Sequence, residues 1–186
     1  MNTSVTAPPQ LLTSEEFIQR YDEEPVELDK GLVVETNMPS LQHGLVCANF
    51  ARHLGNFVEE RQFGRVMSND SWIRTRRTPD SVRGPDVLYI SYERLPKGPM
   101  PAGLLDCVPE FIAEVRSASD TWKKMLNKSS EYLNAGVKIV LILDPDKAAA
   151  TIFRGEELPQ TLHNGDSITL PDLLPGFSVT LAKVFG

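Results

Sequence analysis

Residues 109–145, PEFIAEVRSASDTWKKMLNKSSEYLNAGVKIVLILDP, contain the pattern that decides the fold. The segment 111–115 is a short apolar run and 137–143 is a longer one rich in β-branched residues, so both are typical of buried strands. Between them, Ser-Asp capping chemistry predicts a helix over about 119–135, which Gly136 ends. A strand, a helix and a second strand in this order predict a parallel pair with a right-handed crossover.

The chain on either side of this unit predicts shorter strands and two more helices. Thr13 and Glu16 have capping-box spacing for a helix that runs to about residue 21, and apolar residues recur at helical spacing over 40–61. The segments flanking Gly31 predict a hairpin. Further short strands are expected at 66–67, 72–73, 85–91, 149–153 and 167–170, with an irregular loop over 93–108. We therefore expect an α/β fold with a mixed sheet and helices packed against it.

The composition of the chain bounds its domain organisation. It has 186 residues, of which 41% are hydrophobic and 24% charged, a globular mix that excludes a fully disordered chain. This length corresponds to one domain. We expect residues 1–10 to form a flexible N-terminal tail and residues 11–186 to form a single domain.

Charge and hydropathy restrict the classes of partner. The net charge is −6 and the pI is about 5.1, which argues against broad charge-driven binding to nucleic acid while leaving room for a local basic patch. No apolar run is long enough to span a membrane, and the start MNTSVTAPPQ lacks the basic and apolar regions of a secretory signal. We therefore expect a cytoplasmic protein without a membrane partner. Cys47 and Cys107 have no CxxC spacing and are interpreted as buried thiols, not as a disulfide or zinc site.

A carboxylate lies inside the strand that we expect to be most buried. Strand alternation places Glu114 on one face with Ile112 and Arg116, and an ionised carboxylate there needs a partner charge or a metal. Asp86 raises the same question at the start of its own strand, and Lys128 lies on the rim of the apolar arc of the 120–135 helix. Two carboxylates with a nearby lysine suit phosphodiester hydrolysis assisted by Mg²⁺ or Mn²⁺.

At these residues the chain resembles a known family. It is similar to the Uma-type family of restriction-endonuclease-like proteins, within the PD-(D/E)XK nuclease superfamily, over about residues 11–186. The matching stretches are Pro85-Asp86, 109–120, Lys128, Tyr132-Leu133 and Gly136-Val137, with Val26-Glu27-Leu28, Gly31, His43-Gly44, Asp144-Pro145 and 174–177. The resemblance implies a restriction-endonuclease-like mixed β-sheet flanked by helices, and a Mg²⁺- or Mn²⁺-dependent endonuclease acting on DNA.

The resemblance also implies roles for individual residues. Asp86 and Glu114 would be metal ligands, and Glu27 would be an outer metal contact. The third position of the (D/E)XK element is Arg116 instead of lysine. Arginine stays protonated, so it could assist by binding phosphate but is a poor general base. Lys128 from the following helix would take the place of the motif lysine, as a charge-stabilising or water-orienting group.

Four arginines stand within ten residues of this acidic chain, in a stretch that we expect to be a loop. They would either straddle a phosphate backbone beside the metal site or be solvated residues balanced by acidic groups. They are Arg74, Arg76, Arg77 and Arg83.

Other interpretations of the candidate residues stay open. Glu114 could form a structural ion pair with Arg116 or another arginine. Asp86 could be a turn residue, and Lys128 could be a solvated helix lysine. His43 is interpreted as a surface histidine. The chain lacks GxSxG, GxGxxG and Walker motifs, so we expect neither a serine hydrolase nor a nucleotide cofactor.

Two functions follow from these residues. The first is a metal-dependent endonuclease, expected to be a homodimer because cutting both strands of DNA needs two sites. The alternative is a catalytically inactive nuclease-fold protein that binds nucleic acid or a protein partner. The acidic pI and the arginine at position 116 favour this alternative.

Overall fold

A six-stranded sheet has the predicted strand–helix–strand unit at its centre. The computed structural model describes residues 10–22, 24–36, 38–104 and 107–186, so residues 1–9 of the predicted tail lie outside the described residues. The elements in chain order are α1 (Ser14–Tyr21), β1 (Val26–Asp29), β2 (Leu32–Glu35), α2 (Leu41–Arg61), β3 (Gly64–Ser68), β4 (Ile73–Arg76), β5 (Ser81–Arg83), β6 (Val87–Ser91), β7 (Phe111–Val115), α3 (Trp122–Ala135), β8 (Ile139–Asp144), β9 (Ala149–Arg154), β10 (Gln160–Leu162), β11 (Ser167–Leu170), β12 (Leu174–Thr180) and α4 (Leu181–Phe185).

The large sheet is mixed, as predicted. Its strand order is β10-β9-β8-β7-β6-β3, in which β7 and β8 are parallel and the other neighbours are antiparallel. In the β6–β7 pair, Val87 lies opposite Ala113, so the next pair along this register is Asp86 with Glu114. Side chains of directly opposed residues project on the same face of a sheet.

The two faces of β7 enter different cores, which confirms the predicted alternation. Phe111 and Ala113 pack with α2 and the C-terminal elements, whereas Ile112 packs with α3. The α3 face therefore carries Glu114 toward Lys128, because Glu114 follows Ile112 by two residues.

A smaller sheet lies across a cleft from α3. Its order is β2-β1-β5-β4, with α1 packed against it through Phe17 and Leu28. The capping box of Thr13 and Glu16 at the start of α1 and the hairpin of β1 and β2 are both present, as predicted.

The arginine-rich stretch 74–83 is not the loop that we predicted. It contains β4 and β5, which pair with each other, and β5 also pairs with β1. Burial of Thr75 and Arg83 between neighbouring elements outweighs the polar composition that suggested a loop. A second correction concerns α3, whose N-cap is Thr121 instead of Ser119-Asp120.

Two glycines hold positions that other residues would disturb. A Cβ on Gly64 would lie 2.1 Å from the carbonyl oxygen of Ile90, so the close approach of β3 to β6 depends on glycine. Gly136 ends α3 with a φ of 107°, in agreement with the predicted stop. Among the described residues, no helix has the length and apolar character needed to cross a membrane.

Candidate active site

An open cleft of about 930 Å³ lies between the small sheet, α3 and the edge where β6 begins and β7 ends. Its walls include the candidate residues Glu27, Asp86, Glu114 and Lys128. The structure therefore brings together four side chains that lie far apart in the sequence. Arg116 is not part of this wall.

Glu114 is a buried carboxylate whose partners come from α3. Only 6% of the residue is exposed, Lys128 Nζ lies 3.0 Å from its Oε1, and the hydroxyl of Tyr132 donates a hydrogen bond of 2.6 Å to the same oxygen. Burial raises the pKa of Glu114 to about 7. The positive charge of Lys128 acts in the opposite direction but offsets burial only in part, and the negative charges of Asp86 and Glu27 raise the pKa further. The partner of this carboxylate is thus a lysine, not the arginine considered from the sequence.

Lys128 bridges two carboxylates. Its ammonium lies 3.0 Å from Glu27 Oε1 as well as 3.0 Å from Glu114. Burial alone would lower the pKa of Lys128, but the two carboxylates outweigh it and raise that pKa above its ordinary value. Lys128 therefore carries a positive charge in this arrangement and is not a free base.

Asp86 is held by the backbone of β7 and by α2. Its Oδ2 accepts a hydrogen bond of 2.6 Å from the amide of Val115, and its Oδ1 lies 3.4 Å from Nε2 of His43. The nearby carboxylate of Asp86 raises the pKa of His43 against the opposing effect of burial. His43 is half-buried at the cleft, so its interpretation as a plain surface histidine was wrong.

Glu27 connects the site to a buried ion-pair network around Arg83. Arg83 lies 3.2 Å from Glu27, 3.0 Å from Asp29 and 2.6 Å from Glu131, and the amide of Gly84 donates to Glu27 at 3.1 Å. Burial raises the pKa of Glu27, but Lys128 and Arg83 together leave it below its ordinary value. The network fixes β1, β5 and α3 around the cleft.

The comparisons with known proteins agree with this architecture. Residues 14–182 match the model of the family described as "Uma2: Putative restriction endonuclease". The chain belongs to this family. Its fold matches the crystal structure of "a putative nuclease belonging to DUF820" from Anabaena variabilis, with a TM-score of 0.82 and 17% sequence identity, over 94% of this chain and 97% of that one. No curated protein matches the chain.

Membership of the Uma2 family confirms the resemblance found in the sequence, and the structural match confirms the restriction-endonuclease-like fold. The family description concerns the whole chain and assigns no residue a role. The functions of Asp86, Glu114, Lys128 and Glu27 are therefore argued from their geometry.

The five candidate arginines differ in whether they are held in ion pairs or exposed to solvent. Arg116 follows the end of β7 and pairs with Asp144 at 3.4 Å and Asp146 at 3.3 Å, away from the cleft lining. Arg74 is paired with Glu15, and Arg83 is enclosed by carboxylates. Arg76 and Arg77 are exposed, and Arg76 borders the cleft.

Three side chains at the site have roles that the sequence did not predict. Tyr132 lies on the apolar arc of α3, yet its hydroxyl donates a hydrogen bond to Glu114. His43 and Cys47 are separated by four residues in α2, a spacing that places them on one helix face. That spacing was the available signal, since Cys47 Sγ lies 3.5 Å from Nδ1 of His43. Both cysteines are free, as expected, but each is half-buried instead of buried.

Proposed function

We propose that the protein is a divalent-metal-dependent endonuclease that hydrolyses phosphodiester bonds of DNA. The observation that supports this most strongly is the buried Glu114 near the end of β7, which lines the same cleft as Asp86 at the start of the neighbouring strand β6. A buried carboxylate with a raised pKa in a cleft is a candidate functional group. Membership of the Uma2 family supports the same reaction class.

The residues fit a hard divalent cation. Asp86 and Glu114 would hold Mg²⁺ or Mn²⁺, since carboxylate oxygens are the preferred ligands of these ions. A third carboxylate, Asp70, lies on the same wall, and burial together with the charge of Asp86 raises its pKa. When bound, such an ion acts as a Lewis acid toward phosphate and makes water a better nucleophile at neutral pH.

Lys128 supplies positive charge next to the metal-binding carboxylates. Because Glu114 and Glu27 keep it protonated, it would neutralise charge on the phosphate and orient the attacking water through N–H donation. Glu27 would act one step removed, by holding Lys128 in place. Arg116 has no such place in the proposal, because its guanidinium is bound to Asp144 and Asp146.

DNA would approach the cleft along its basic rim. Arg76 and Arg77 are exposed at the turn between β4 and β5. Their guanidinium groups would therefore be accessible to a phosphate backbone. Arg74 and Arg83 would instead position this rim through their ion pairs.

The second candidate is a catalytically inactive nuclease-fold protein that binds nucleic acid or a protein partner. The arrangement of Lys128 favours it, because an ammonium bridged between two carboxylates occupies the space beside Glu114. In this alternative the ion pair replaces the metal.

A plasmid-nicking assay in Mn²⁺ or Mg²⁺, with calorimetry of metal binding, separates the two functions. We expect activity and metal binding in the wild type, and loss of both in Asp86→Asn and Glu114→Gln. Glu110→Gln is the matched control, since Glu110 is equally buried in the segment leading into β7 but is bonded to Ser91 and Arg94. Absence of metal binding in the wild type at millimolar concentration would refute the nuclease function and favour the binding module. Analytical ultracentrifugation of the wild type tests the proposed homodimer.

A further inference from the structure

His43, Cys47 and Asp86 form a compact group of metal-ligating side chains at the edge of the cleft. One donor atom from each lies within 4.8 Å of the others. Only Asp86 belongs to the carboxylate pair proposed above, so the other two side chains need a separate explanation. Both come from the same face of α2.

The separation of His43 and Asp86 matches that of two ligands sharing one ion. Donor atoms about 2.1 Å from a common metal lie about 3.0 Å apart at a right angle and about 3.4 Å apart at a tetrahedral angle. Nε2 of His43 and Oδ1 of Asp86 are 3.4 Å apart, which is longer than an ordinary N–H···O hydrogen bond. The two atoms are therefore already at the separation that binding one ion would require.

The position of the imidazole is fixed from several sides. The backbone amide of His43 donates to the N-cap residue Ser40 at 3.1 Å, which anchors the residue in the first turn of α2. The carboxylate that faces the ring is fixed as well, because Oδ2 of Asp86 accepts a hydrogen bond from the amide of Val115 in β7.

Cys47 holds the opposite edge of the ring. Its Sγ is 3.5 Å from Nδ1. When Nδ1 carries the ring proton and donates it to Sγ, the lone pair of Nε2 faces Asp86 and can bind a metal. Such outer contacts commonly orient a ligating histidine.

We infer that His43 is a nitrogen ligand of the divalent ion held by Asp86, and that it makes the site selective for a transition-metal ion such as Mn²⁺ over Mg²⁺. This inference rests on the proposed metal-dependent function. Carboxylate and carbonyl oxygens serve Mg²⁺ and Mn²⁺ alike, whereas an imidazole nitrogen favours the transition metal. The competing role for His43 is that of a cation which pairs with Asp86 in place of a metal.

Pulsed electron paramagnetic resonance of bound Mn²⁺ tests the inference directly, because it detects ¹⁴N nuclei coordinated to the ion. We expect nitrogen modulation in the wild type and its loss in both His43→Ala and His43→Gln. His53→Ala is the matched control, since His53 lies on the same helix ten residues further along, about 15 Å away. This control should keep the nitrogen signal.

Calorimetry on the same proteins provides the second readout. Loss of the ligand should weaken Mn²⁺ binding at least ~10-fold, while Mg²⁺ binding changes little. If His43 only pairs with Asp86 as a cation, its removal strengthens the binding of both ions and the wild type shows no nitrogen modulation; that result overturns the inference but leaves the nuclease function intact. A wild type that binds no Mn²⁺ overturns both proposals.

Discussion

Glu114→Gln should change how the stability of the metal-free protein depends on pH. The substitution keeps the shape of the side chain but removes its charge. Burial raises the pKa of Glu114 from its ordinary value of 4.5 to about 7 in the folded protein. The folded wild type therefore holds a proton that the unfolded chain releases between these two pH values.

The sign and the size of the effect follow from this difference. Stability falls with rising pH wherever the folded state binds more protons than the unfolded state. The wild type should thus lose stability relative to Glu114→Gln as the pH rises from 4.5 to about 7. At about 1.4 kcal/mol per pH unit, the rise in pKa corresponds to a relative loss of about 3 kcal/mol.

Urea unfolding of both proteins at several pH values, in the presence of a chelator, measures this difference. Comparing the two proteins cancels the titration of groups that do not interact with Glu114. Asp120→Asn is a control with the opposite sign: burial raises the pKa of Asp120, but hydrogen bonds from Lys124 and Ser117 leave it below its ordinary value of 3.8. The reasoning would be refuted by a pH-independent difference, or by a wild type that gains stability relative to Glu114→Gln over this range.

Three further predictions concern stability and are tested by the same unfolding measurement. Tyr132→Phe removes the buried hydroxyl that donates a hydrogen bond to Glu114, and it should lower the free energy of unfolding by about 1–3 kcal/mol. Arg83→Gln leaves three carboxylates without their shared cation and should lower the free energy of unfolding by about 3–5 kcal/mol. The exposed Arg76→Gln should stay within about 0.5 kcal/mol of the wild type in stability and should instead weaken DNA binding. Gly64→Ala should destabilise the protein strongly because its Cβ would meet backbone, whereas Gly44→Ala, with nothing within 4 Å, should stabilise α2 by about 0.5–1 kcal/mol.

The central part of the site was predictable because it depends on local periodicity. Alternation along 111–115 and the helical arc around Lys128 place the two side chains on facing surfaces. The right-handed crossover then brings those surfaces together. The structure agrees, with Lys128 Nζ 3.0 Å from Glu114.

The periphery of the site was not predictable in the same way, because it depends on contacts between distant segments. Arg83 is buried by carboxylates from β1 and α3, and the sequence around it suggests only a polar loop. His43 meets Asp86 across 42 intervening positions, so only the packing of α2 against the sheet reveals the pair. Tyr132 fits the apolar face of α3 in the sequence pattern, and only the structure shows that its hydroxyl binds Glu114.

Lys128 reaches the carboxylate from a helix, not from the strand that carries it. Asp86 and Glu114 are tied together by the pairing of β6 with β7, whereas the ammonium is tied to them only by the way α3 rests on the sheet. A one-residue insertion within α3, just before Lys128, would leave the strands paired but move Lys128 by about 100° around the helix axis relative to the first turn. The carboxylates would keep their places and the positive charge would rotate out of the cleft. The site therefore has two mechanically separable parts, and the packing of α3 on the sheet sets their alignment.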